Sequence, residues 1–407
     1  MNKLKIINDP VYGFVKINTE LLFDLIEHPY FQRLRRIKQL GLAELVYPGA
    51  LHTRFHHALG AMHLMGLTLS NLRMKGFEIS DEEMEAAQIA ILLHDVGHGP
   101  MSHALESTIL QEVPHEQVSL LLMKKLNEAY KGALDLAIAI FEGKYHRPFF
   151  HQLVSSQLDL DRMDYLQRDC YFTGVLEGTI GADRIIKMLY LHQDELVVEE
   201  KGIYSIENFL TARRLMYWQV YLHKTNLAAD TMLTKIIRRA KWLVQSGISV
   251  EAPAHLLLFL QKNVKIADFD NHTTYLEQFA TLDDYDIWAA IKQWATHQDE
   301  ILSLLCQHLL HRKLFKITLS AQPITQEAIH KTTDLIQAMF PTQDAFAISF
   351  LFESGKAINE AYLSQKQSIN ILQKNGQLVE IAQASDLPNI EALKKPVTKY
   401  YLCWLNA

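Results

Sequence analysis

The chain has 407 residues, of which 49% are hydrophobic, and its 40 Lys and Arg residues against 46 Asp and Glu residues give a net charge of −6. This composition is that of a globular protein with room for more than one domain, and its acidity argues against a protein that coats nucleic acid. Three scattered cysteines exclude a disulfide framework, and no apolar run is long enough for a membrane span or a signal peptide. We therefore expect a cytoplasmic protein with neither nucleic acid nor a membrane as its partner.

Helical periodicity dominates the first two thirds of the chain. Apolar residues at helical spacing cover 19–39, with Pro29 as a break, and a second helix covers 55–74 and ends at Gly76. Residues 80–83, Ser-Asp-Glu-Glu, form a capping box that starts a third helix. This helix runs through Ala86, Ala90 and Leu93 toward His94, and it is stopped by Gly97, Gly99 and Pro100.

Beyond these helices the periodicity continues and then changes near residue 310. Further helices are predicted over 116–130, 152–169 and 206–245, and a hairpin over 195–204 has its predicted turn at Lys201-Gly202. From residue 310 onward, short apolar runs predict strands at 314–319, 345–352, 368–372 and 400–404, with one helix at 326–339. The last part of the chain therefore reads as a small α+β region.

The strongest local signal is the sequence HDVGHGPMSH, which runs from His94 to His103 at the end of the third helix. Adjacent His94 and Asp95 can turn toward one point and hold a divalent ion, which a helix C-terminus also favours. An isolated pair of this kind is more often a buried histidine bonded to a carboxylate. His98 lies one helical turn from His94, so both face one cavity if the helix continues.

Two further segments strengthen the interpretation as a metal site. Residues 54–60, RFHHALG, offer His56 or His57 as another ligand at the start of the second helix. In residues 157–169, helical spacing places three polar side chains on one face: Asp161, Tyr165 and Asp169. The alternative for this last helix is a solvated charged face on which Asp164 and Arg168 pair.

These motifs, in this order, resemble the HD-domain phosphohydrolase superfamily, and most closely its deoxynucleoside triphosphate (dNTP) triphosphohydrolases. The resemblance begins at KIINDPVYG (5–13), continues through FQRLR (31–35), IKQLG (37–41), YPG (47–49) and HTRF (52–55), and ends at YLHK (221–224). It covers a little over half the chain. It implies a mainly α fold with a helical HD core, and we divide the chain into an HD phosphohydrolase domain at 1–245, a helical extension at 246–310 and a small α+β domain at 311–407.

The resemblance assigns four metal ligands: His57, His94, Asp95 and Asp161. It sets His56 aside, a choice that spacing alone does not make. Two imidazoles and two carboxylates suit one divalent ion, and Mn²⁺, Mg²⁺, Fe²⁺, Zn²⁺ and Ni²⁺ all fit this set. A second Mg²⁺ is expected to accompany the triphosphate of the substrate.

The implied reaction is attack of water on the α-phosphorus of a dNTP, which yields a deoxynucleoside and intact triphosphate. The resemblance assigns the triphosphate to four cations: Arg54, Arg162, Arg213 and Lys224. It assigns the sugar and its surroundings to a second set: Gln39 and Asp169 at the 3′-hydroxyl, Tyr165 and Tyr221 where a 2′-hydroxyl would lie, and Leu40 beside the sugar or base. For proton transfer we expect His103 with Glu106, three residues on, as the acid pair, supported by His98 and His115.

An N-terminal set of residues resembles the family's allosteric nucleotide site: Lys5, Ile6, Asn8, Glu27, Gln32 and Arg35. A carboxylate and an arginine can read a guanine, and the resemblance implies a homo-oligomer, dimer or tetramer, that is activated by guanine nucleotide. The alternative is that the last three of these residues form ordinary pairs on a helix surface.

Three other functions stay open at this stage: a phosphodiesterase, a guanosine-tetraphosphate hydrolase, and a nucleotide sensor that binds metal without turnover. Guanosine-tetraphosphate hydrolases follow the His-Asp doublet with an acidic pair, whereas here Val96 to Gly99 reads VGHG. The set of His98, His103, Glu106 and His115 argues against a sensor that has lost catalysis.

Overall fold

The computed structural model describes residues 5–271, 273–359, 362, 368–387 and 389–406, without the side chains of residues 103, 270, 271, 273 and 389. The described part is mainly α, as predicted, with small sheets. Within it, no helix combines the length and the apolar character that crossing a membrane requires.

The first part of the chain forms a hairpin followed by the helices that carry most of the core. Its elements are β1 (Lys5–Asp9), β2 (Gly13–Ile17), α1 (Glu20–Glu27), α2 (Pro29–Gln32), α3 (Arg54–Met74), α4 (Asp81–Leu93), α5 (Ser102–Ile109), α6 (His115–Ala129), α7 (Asp135–Phe141), α8 (Pro148–Val154) and α9 (Leu160–Thr173). The predicted break at Pro29 is confirmed, because Pro29 begins α2. The capping box at Ser80 and Glu83 is also confirmed. The long helix α3 packs between α4 and α9.

The prediction of a single helix over 152–169 is wrong, because α8 ends at Val154 and Asp159 caps the start of a separate helix, α9. Its carboxylate accepts from the backbone N–H of Arg162 at 2.7 Å and from that of Ser156 at 2.8 Å. A side chain that caps a helix in this way starts a new helix instead of continuing the old one. The cap also fixes the orientation of α9, on which Asp161 lies.

The next elements are α10 (Ala182–Met188), β3 (Leu189–His192), β4 (Glu195–Glu199), α11 (Ile203–Met216) and α12 (Lys224–Gln245). The helix predicted over 206–245 is interrupted by a π-helical segment, Tyr217–Tyr221, between α11 and α12. The hairpin predicted over 195–204 is wrong, because only its first half is a strand, β4, and this strand pairs with β3 before it. The turn lies at Gln193 and Asp194, with φ angles of 52° and 59°, as a tight hairpin turn requires. Lys201-Gly202 instead lies in a 3-10 turn before α11.

The remaining elements form the helical extension and the C-terminal region. They are α13 (Ala254–Gln261), α14 (Ile266–Asn271), α15 (Thr273–Phe279), α16 (Asp284–Trp294), α17 (Glu300–Leu310), β5 (Lys316–Ser320), α18 (Gln326–Met339), α19 (Ala345–Ile348), β6 (Phe352–Asn359), β7 (Asn370–Leu372), β8 (Leu378–Glu380), α20 (Ile381–Ala384), α21 (Asn389–Leu393) and β9 (Val397–Trp404). The strand predicted over 345–352 is wrong, because Asp344 caps the short helix α19 by accepting from Ala347 N–H at 2.7 Å. The other predicted strands and the helix over 326–339 are confirmed.

The strands form three small sheets. Strands β1 and β2 pair with each other, and β9 lies between β5 and β6 with antiparallel pairing on both sides. The third sheet has the order β3-β4-β7-β8, in which β7 runs parallel to β4. Strand β7 from the C-terminal region thus extends the hairpin of β3 and β4. The domain boundaries stay a prediction.

Gly97 brings the start of α6 against the turn that follows α4. A Cβ at this position would lie 2.2 Å from the backbone nitrogen of Ser119 and 2.4 Å from the carbonyl oxygen of His115. Only glycine allows so close an approach of two backbone segments. This contact holds His115 near the His94-Asp95 doublet.

Candidate active site

Side chains from three helical segments meet at one buried point. His57 Nε2, from α3, lies 3.1 Å from Asp161 Oδ1 of α9, and His94 Nε2 lies 3.5 Å from the same oxygen. Asp95 Oδ1 lies 3.3 Å from His94 Nε2. The ligand atoms of His57, His94 and Asp161 are close enough together to hold one metal ion.

Both histidines direct their Nε2 atom at this point. His57 Nδ1 bonds to Asp164 Oδ2 at 2.7 Å, and His94 Nδ1 bonds to the Ile91 carbonyl at 2.6 Å. Because both partners are acceptors, each Nδ1 carries a proton, and Nε2 is the atom that each ring can offer to a metal ion. Both Nε2 atoms are buried, and among the described residues neither has a hydrogen-bond partner. A divalent ion beside Asp161 would satisfy both, so the donor set fits a metal.

The electrostatics of the site also favour a cation. Burial lowers the pKa of the His57 imidazole, but the carboxylates of Asp161 and Asp164 outweigh burial and raise this pKa to about 10. Without a metal ion, His57 therefore carries a second proton, which a bound ion would replace. Burial raises the pKa of the Asp95 carboxyl, but the neighbouring imidazoles and the guanidinium of Arg54 hold it well below its usual range. The carboxylates therefore stay ionised and surround the point with negative charge.

Arg54 connects the candidate metal ligand Asp95 to the loop that follows it. It is 1% exposed, donates through Nη1 to Asp95 Oδ2, and donates through Nε and Nη2 to Ser102 Oγ at 3.0 and 2.8 Å. This guanidinium lines the cavity beside the expected phosphate position. It can therefore orient Asp95 and present positive charge to a bound phosphate at the same time.

The candidate proton-transfer residues form a stack at the edge of the site. The rings of His98 and His115 lie 3.7 Å apart at 18°, and His115 Nδ1 bonds to Glu106 Oε1 at 2.8 Å. The side chain of His103 lies outside the described residues, so the predicted pairing of His103 with Glu106 is untested. The helix ends at Leu93 and does not continue to His98, yet His98 still lines the cavity with His94.

The sugar-binding candidates converge on a separate wall of the cavity. Tyr221 donates to Asp169 Oδ2 at 2.8 Å, and the rings of Tyr165 and Tyr221 meet edge-on at 5.9 Å. Burial raises the pKa of Tyr221 well above its usual range, so its hydroxyl stays a donor. Gln39 and Leu40 line the same cavity, which has a volume of about 800 Å³. Such a volume is in the range of pockets that enclose small molecules.

The four phosphate-binding candidates do not all reach the cavity. Arg162 lines it and donates through Nε to the Ser156 carbonyl at 2.8 Å. Arg213 is buried behind the lining and donates to Gln157 Oε1 at 3.2 Å. Lys224 is exposed at the start of α12, outside the lining. The geometry therefore supports Arg54 and Arg162 most directly.

The allosteric candidates lie on the outer face of β1 and around α2. Ile6 is 54% exposed, and Lys5 lies over the ring of Phe23. Arg35 donates to Gln32 Oε1 at 2.8 Å. Two of the three residues in the surface-pair alternative are thus paired with each other, while Asn8 and Glu27 are exposed.

Comparison with known proteins decides the family. The profile of the HD domain matches residues 54–169, and a profile described as an HD associated region matches residues 180–251. YwfO of Bacillus subtilis, described as uncharacterised, is 36% identical over 324 residues, which cover 78% of this chain and 72% of YwfO. The crystal structure of a phosphohydrolase from Bacteroides thetaiotaomicron is 50% identical, with a TM-score of 0.96 over 99% of this chain and 100% of that one. The chain belongs to the HD-domain phosphohydrolase family.

The relatives with a described activity are more distant. The human deoxynucleoside triphosphate triphosphohydrolase SAMHD1 is 29% identical over 284 residues, which cover 59% of this chain and 45% of SAMHD1. The homologue from Dictyostelium discoideum carries the same description and is 30% identical over 274 residues, or 62% of this chain and 52% of that protein. The matched part of this HD phosphohydrolase is thus about half the length of these relatives.

His52 is a site residue of this HD phosphohydrolase to which the sequence assigned no role. Its Nε2 bonds to Asp169 Oδ1 at 2.7 Å, and its carbonyl accepts from the backbone N–H of Gln39 at 3.0 Å. His52 thus connects both residues expected at the sugar. The only sequence signal is its place in HTRF, directly before Arg54.

The helical extension also reaches the site. Asp284, at the start of α16, accepts from Lys38 N–H and from Met101 N–H, both at 2.8 Å. Met101 has a φ of 48°, in the left-handed region, so its position depends on such support. Burial raises the pKa of Asp284 to about 6. This carboxylate fixes the loop before Gln39 and the loop before Ser102 together.

Replacing Asp284 with Asn should destabilise this HD phosphohydrolase. Asparagine has one side-chain acceptor, so Lys38 N–H or Met101 N–H would lose its bond, at a cost of about 1–3 kcal/mol. We expect a lower midpoint of urea unfolding for Asp284→Asn. The control Asp334→Asn, at an exposed position on α18, should leave the midpoint unchanged. Equal midpoints for the two variants would show that the two bonds contribute nothing.

Proposed function

We propose that this protein hydrolyses deoxynucleoside triphosphates to a deoxynucleoside and triphosphate, with a divalent metal ion held by His57, His94, Asp95 and Asp161. The observation that carries the proposal is the shared cavity, which joins the metal-ligand cluster to a pocket walled by Asp169, Tyr165 and Tyr221. The likeness to proteins described as dNTP triphosphohydrolases supports it.

The bound ion would supply Lewis acidity and an acidified water beside the α-phosphorus. Arg54 and Arg162 would neutralise charge on the phosphoryl oxygens, because both guanidinium groups lie on the lining next to the ligands. The Pα–O5′ bond breaks as the water oxygen bonds to phosphorus, and the departing O5′ needs a proton.

We propose His115, oriented by Glu106, as the source of that proton. The carboxylate holds Nδ1–H, so Nε2 is the atom that can give its proton to O5′. This modifies the assignment from sequence, in which Glu106 oriented His103. His98, stacked on His115, would support the phosphates or the water.

At the sugar, Asp169 would accept from the 3′-hydroxyl while Tyr221 and His52 hold its carboxylate. Tyr165 and Tyr221 would occupy the space of a ribose 2′-hydroxyl. A deoxyribose is therefore the better fit, because a ribose would meet two aromatic rings that already contact each other.

A substrate panel tests this function. Reactions with Mn²⁺ or Mg²⁺ and each of the four dNTPs, a cyclic dinucleotide and guanosine tetraphosphate can be resolved by ion-exchange chromatography. We expect turnover of dNTPs alone. Turnover of the cyclic dinucleotide or of guanosine tetraphosphate in preference to dNTPs would replace the proposal with one of those functions.

We further propose that guanine nucleotides regulate a homo-oligomer of this chain through Lys5, Ile6, Asn8, Glu27, Gln32 and Arg35. Initial rates with dATP should then rise when GTP is added, and the oligomeric mass should rise with them. Such an effect requires that GTP bind the active assembly better than the inactive one. Unchanged rates and mass would favour the alternative in which Arg35 and Gln32 form a surface pair only.

A further inference from the structure

A buried chain of charged groups runs from the N-terminal hairpin to the metal-ligand cluster. Arg168 Nη1 donates to Asp9 Oδ2 at 2.7 Å, and Arg168 Nε donates to Asp164 Oδ2 at 2.9 Å. Asp164 Oδ2 in turn bonds to His57 Nδ1 at 2.7 Å. The side chains of Arg168, Asp164 and His57 are 0% exposed and that of Asp9 is 3% exposed. The pair of Asp164 and Arg168, which the alternative interpretation placed on a solvated face, is thus fully buried.

The absence of a side chain at Gly60 leaves the space that this chain of contacts occupies. A Cβ at Gly60 would lie 1.9 Å from Asp164 Oδ1 and 2.2 Å from Arg168 Nη2. Gly60 lies one helical turn after His57 on α3, so the missing side chain admits both groups next to the ligand. A buried guanidinium also needs carboxylates on both sides, because an unpaired buried charge is costly.

Asp9 also accepts hydrogen bonds from the backbone of the hairpin turn, and these bonds fix its own position. Its Oδ1 accepts from the backbone N–H groups of Val11 and Tyr12, at 2.9 and 3.0 Å. These bonds shape the turn between β1 and β2. The position of the hairpin therefore determines where the carboxylate of Asp9 meets Arg168.

We propose that Asp9 is a positioning residue for the metal ligand His57, acting through Arg168 and Asp164, and that docking of the hairpin thereby sets the affinity for the metal. The inference rests on the proposed metal site. Asp164 holds the tautomer and the ring orientation of His57, Arg168 holds Asp164, and Asp9 holds Arg168. Loss of an outer partner of a metal-ligating histidine typically weakens metal binding about 10–100-fold.

The variant Asp9→Asn tests the chain of contacts selectively. The amide oxygen can still accept from Val11, from Tyr12 and, at 3.3 Å, from Arg168 Nη2. The amide nitrogen takes the place of Oδ2 and cannot accept from Arg168 Nη1, and the negative charge opposite the guanidinium is lost. The matched control is Asp24→Asn, the same change at an exposed position on α1. Each protein, first stripped of metal with a chelator, is titrated with Co²⁺ against a competing chelator, and visible absorption of Co²⁺ reports the ligand geometry.

We expect Asp9→Asn to weaken Co²⁺ binding about 10–100-fold and to change the absorption bands, while Asp24→Asn matches wild type. Turnover of Asp9→Asn should recover at saturating metal, because the chemistry itself does not use Asp9. If Asp9→Asn does not fold, Asp9→Ser, which keeps an acceptor for the turn, takes its place. Wild-type affinity and wild-type absorption bands in the folded variant would overturn the inference. Wild-type protein that binds no Co²⁺ would instead refute the proposed metal site.

Discussion

Replacement of His57 or Asp95 by alanine is expected to remove the metal and to lower turnover by at least about a thousandfold, since a catalytic metal contributes several kcal/mol to the transition state. The two residues act from different segments, α3 and the turn after α4. His57 offers Nε2 beside Asp161, and Asp95 offers an oxygen 3.3 Å from His94 Nε2. Loss of either removes one of the four ligands, and we expect the remaining three to bind the ion too weakly to retain it through purification.

The matched control for the metal variants is His56→Ala. His56 neighbours His57 in sequence, but its Nδ1 caps α3 by accepting from the N–H of Thr53 at 3.2 Å. This variant should lose about 1 kcal/mol of stability and keep its metal. Elemental analysis of the three purified variants decides the matter. Full metal content in His57→Ala and Asp95→Ala would show that the ion binds elsewhere.

Replacement of Glu106 by glutamine is expected to lower kcat about a hundredfold with little change in KM. A neutral amide can hold the ring of His115 in place, but it does not stabilise the protonated imidazole that donates to O5′. Steady-state rates with dGTP across the pH range measure the effect, and the acid limb of the profile for kcat should move.

The control for this variant is Glu128→Gln, at an exposed position on α6, the helix that begins with His115. It should retain the rates of wild type. A Glu106→Gln protein with an unchanged kcat and an unchanged pH profile would exclude the pair of Glu106 and His115 from proton transfer. His103 would then be the residue to test next.

Local patterns were sufficient where one short segment carries the signal. The capping box at Ser80 starts α4, and the His94-Asp95 doublet ends up beside Asp161 because α4 and α9 both pack on α3. Glycine and proline marked the ends of helices for the same reason, since their effect on the backbone is local.

Features that depend on tertiary contacts could not be predicted in this way. The apolar spacing predicted one continuous helix across Asp159, although a new helix starts there. Apolar spacing gives no sign of a side chain that accepts hydrogen bonds from the backbone nearby. It also runs through the π-helical segment that ends at Tyr221. Glu106 bonds to His115, nine residues away, a contact that helical spacing does not predict. Asp284 accepts a hydrogen bond from the backbone N–H of Lys38, which lies 246 residues earlier in the sequence. No local pattern can predict such a contact.

The products formed from dGTP in water enriched in ¹⁸O test the central claim most directly. The protein is incubated with dGTP and Mn²⁺ and sampled from the earliest time point. The products are separated by ion exchange, and their masses are measured by mass spectrometry. Attack at the α-phosphorus predicts deoxyguanosine and tripolyphosphate in equal amounts, with ¹⁸O in the tripolyphosphate and none in the deoxyguanosine. Formation of deoxyguanosine diphosphate and orthophosphate instead would contradict the account.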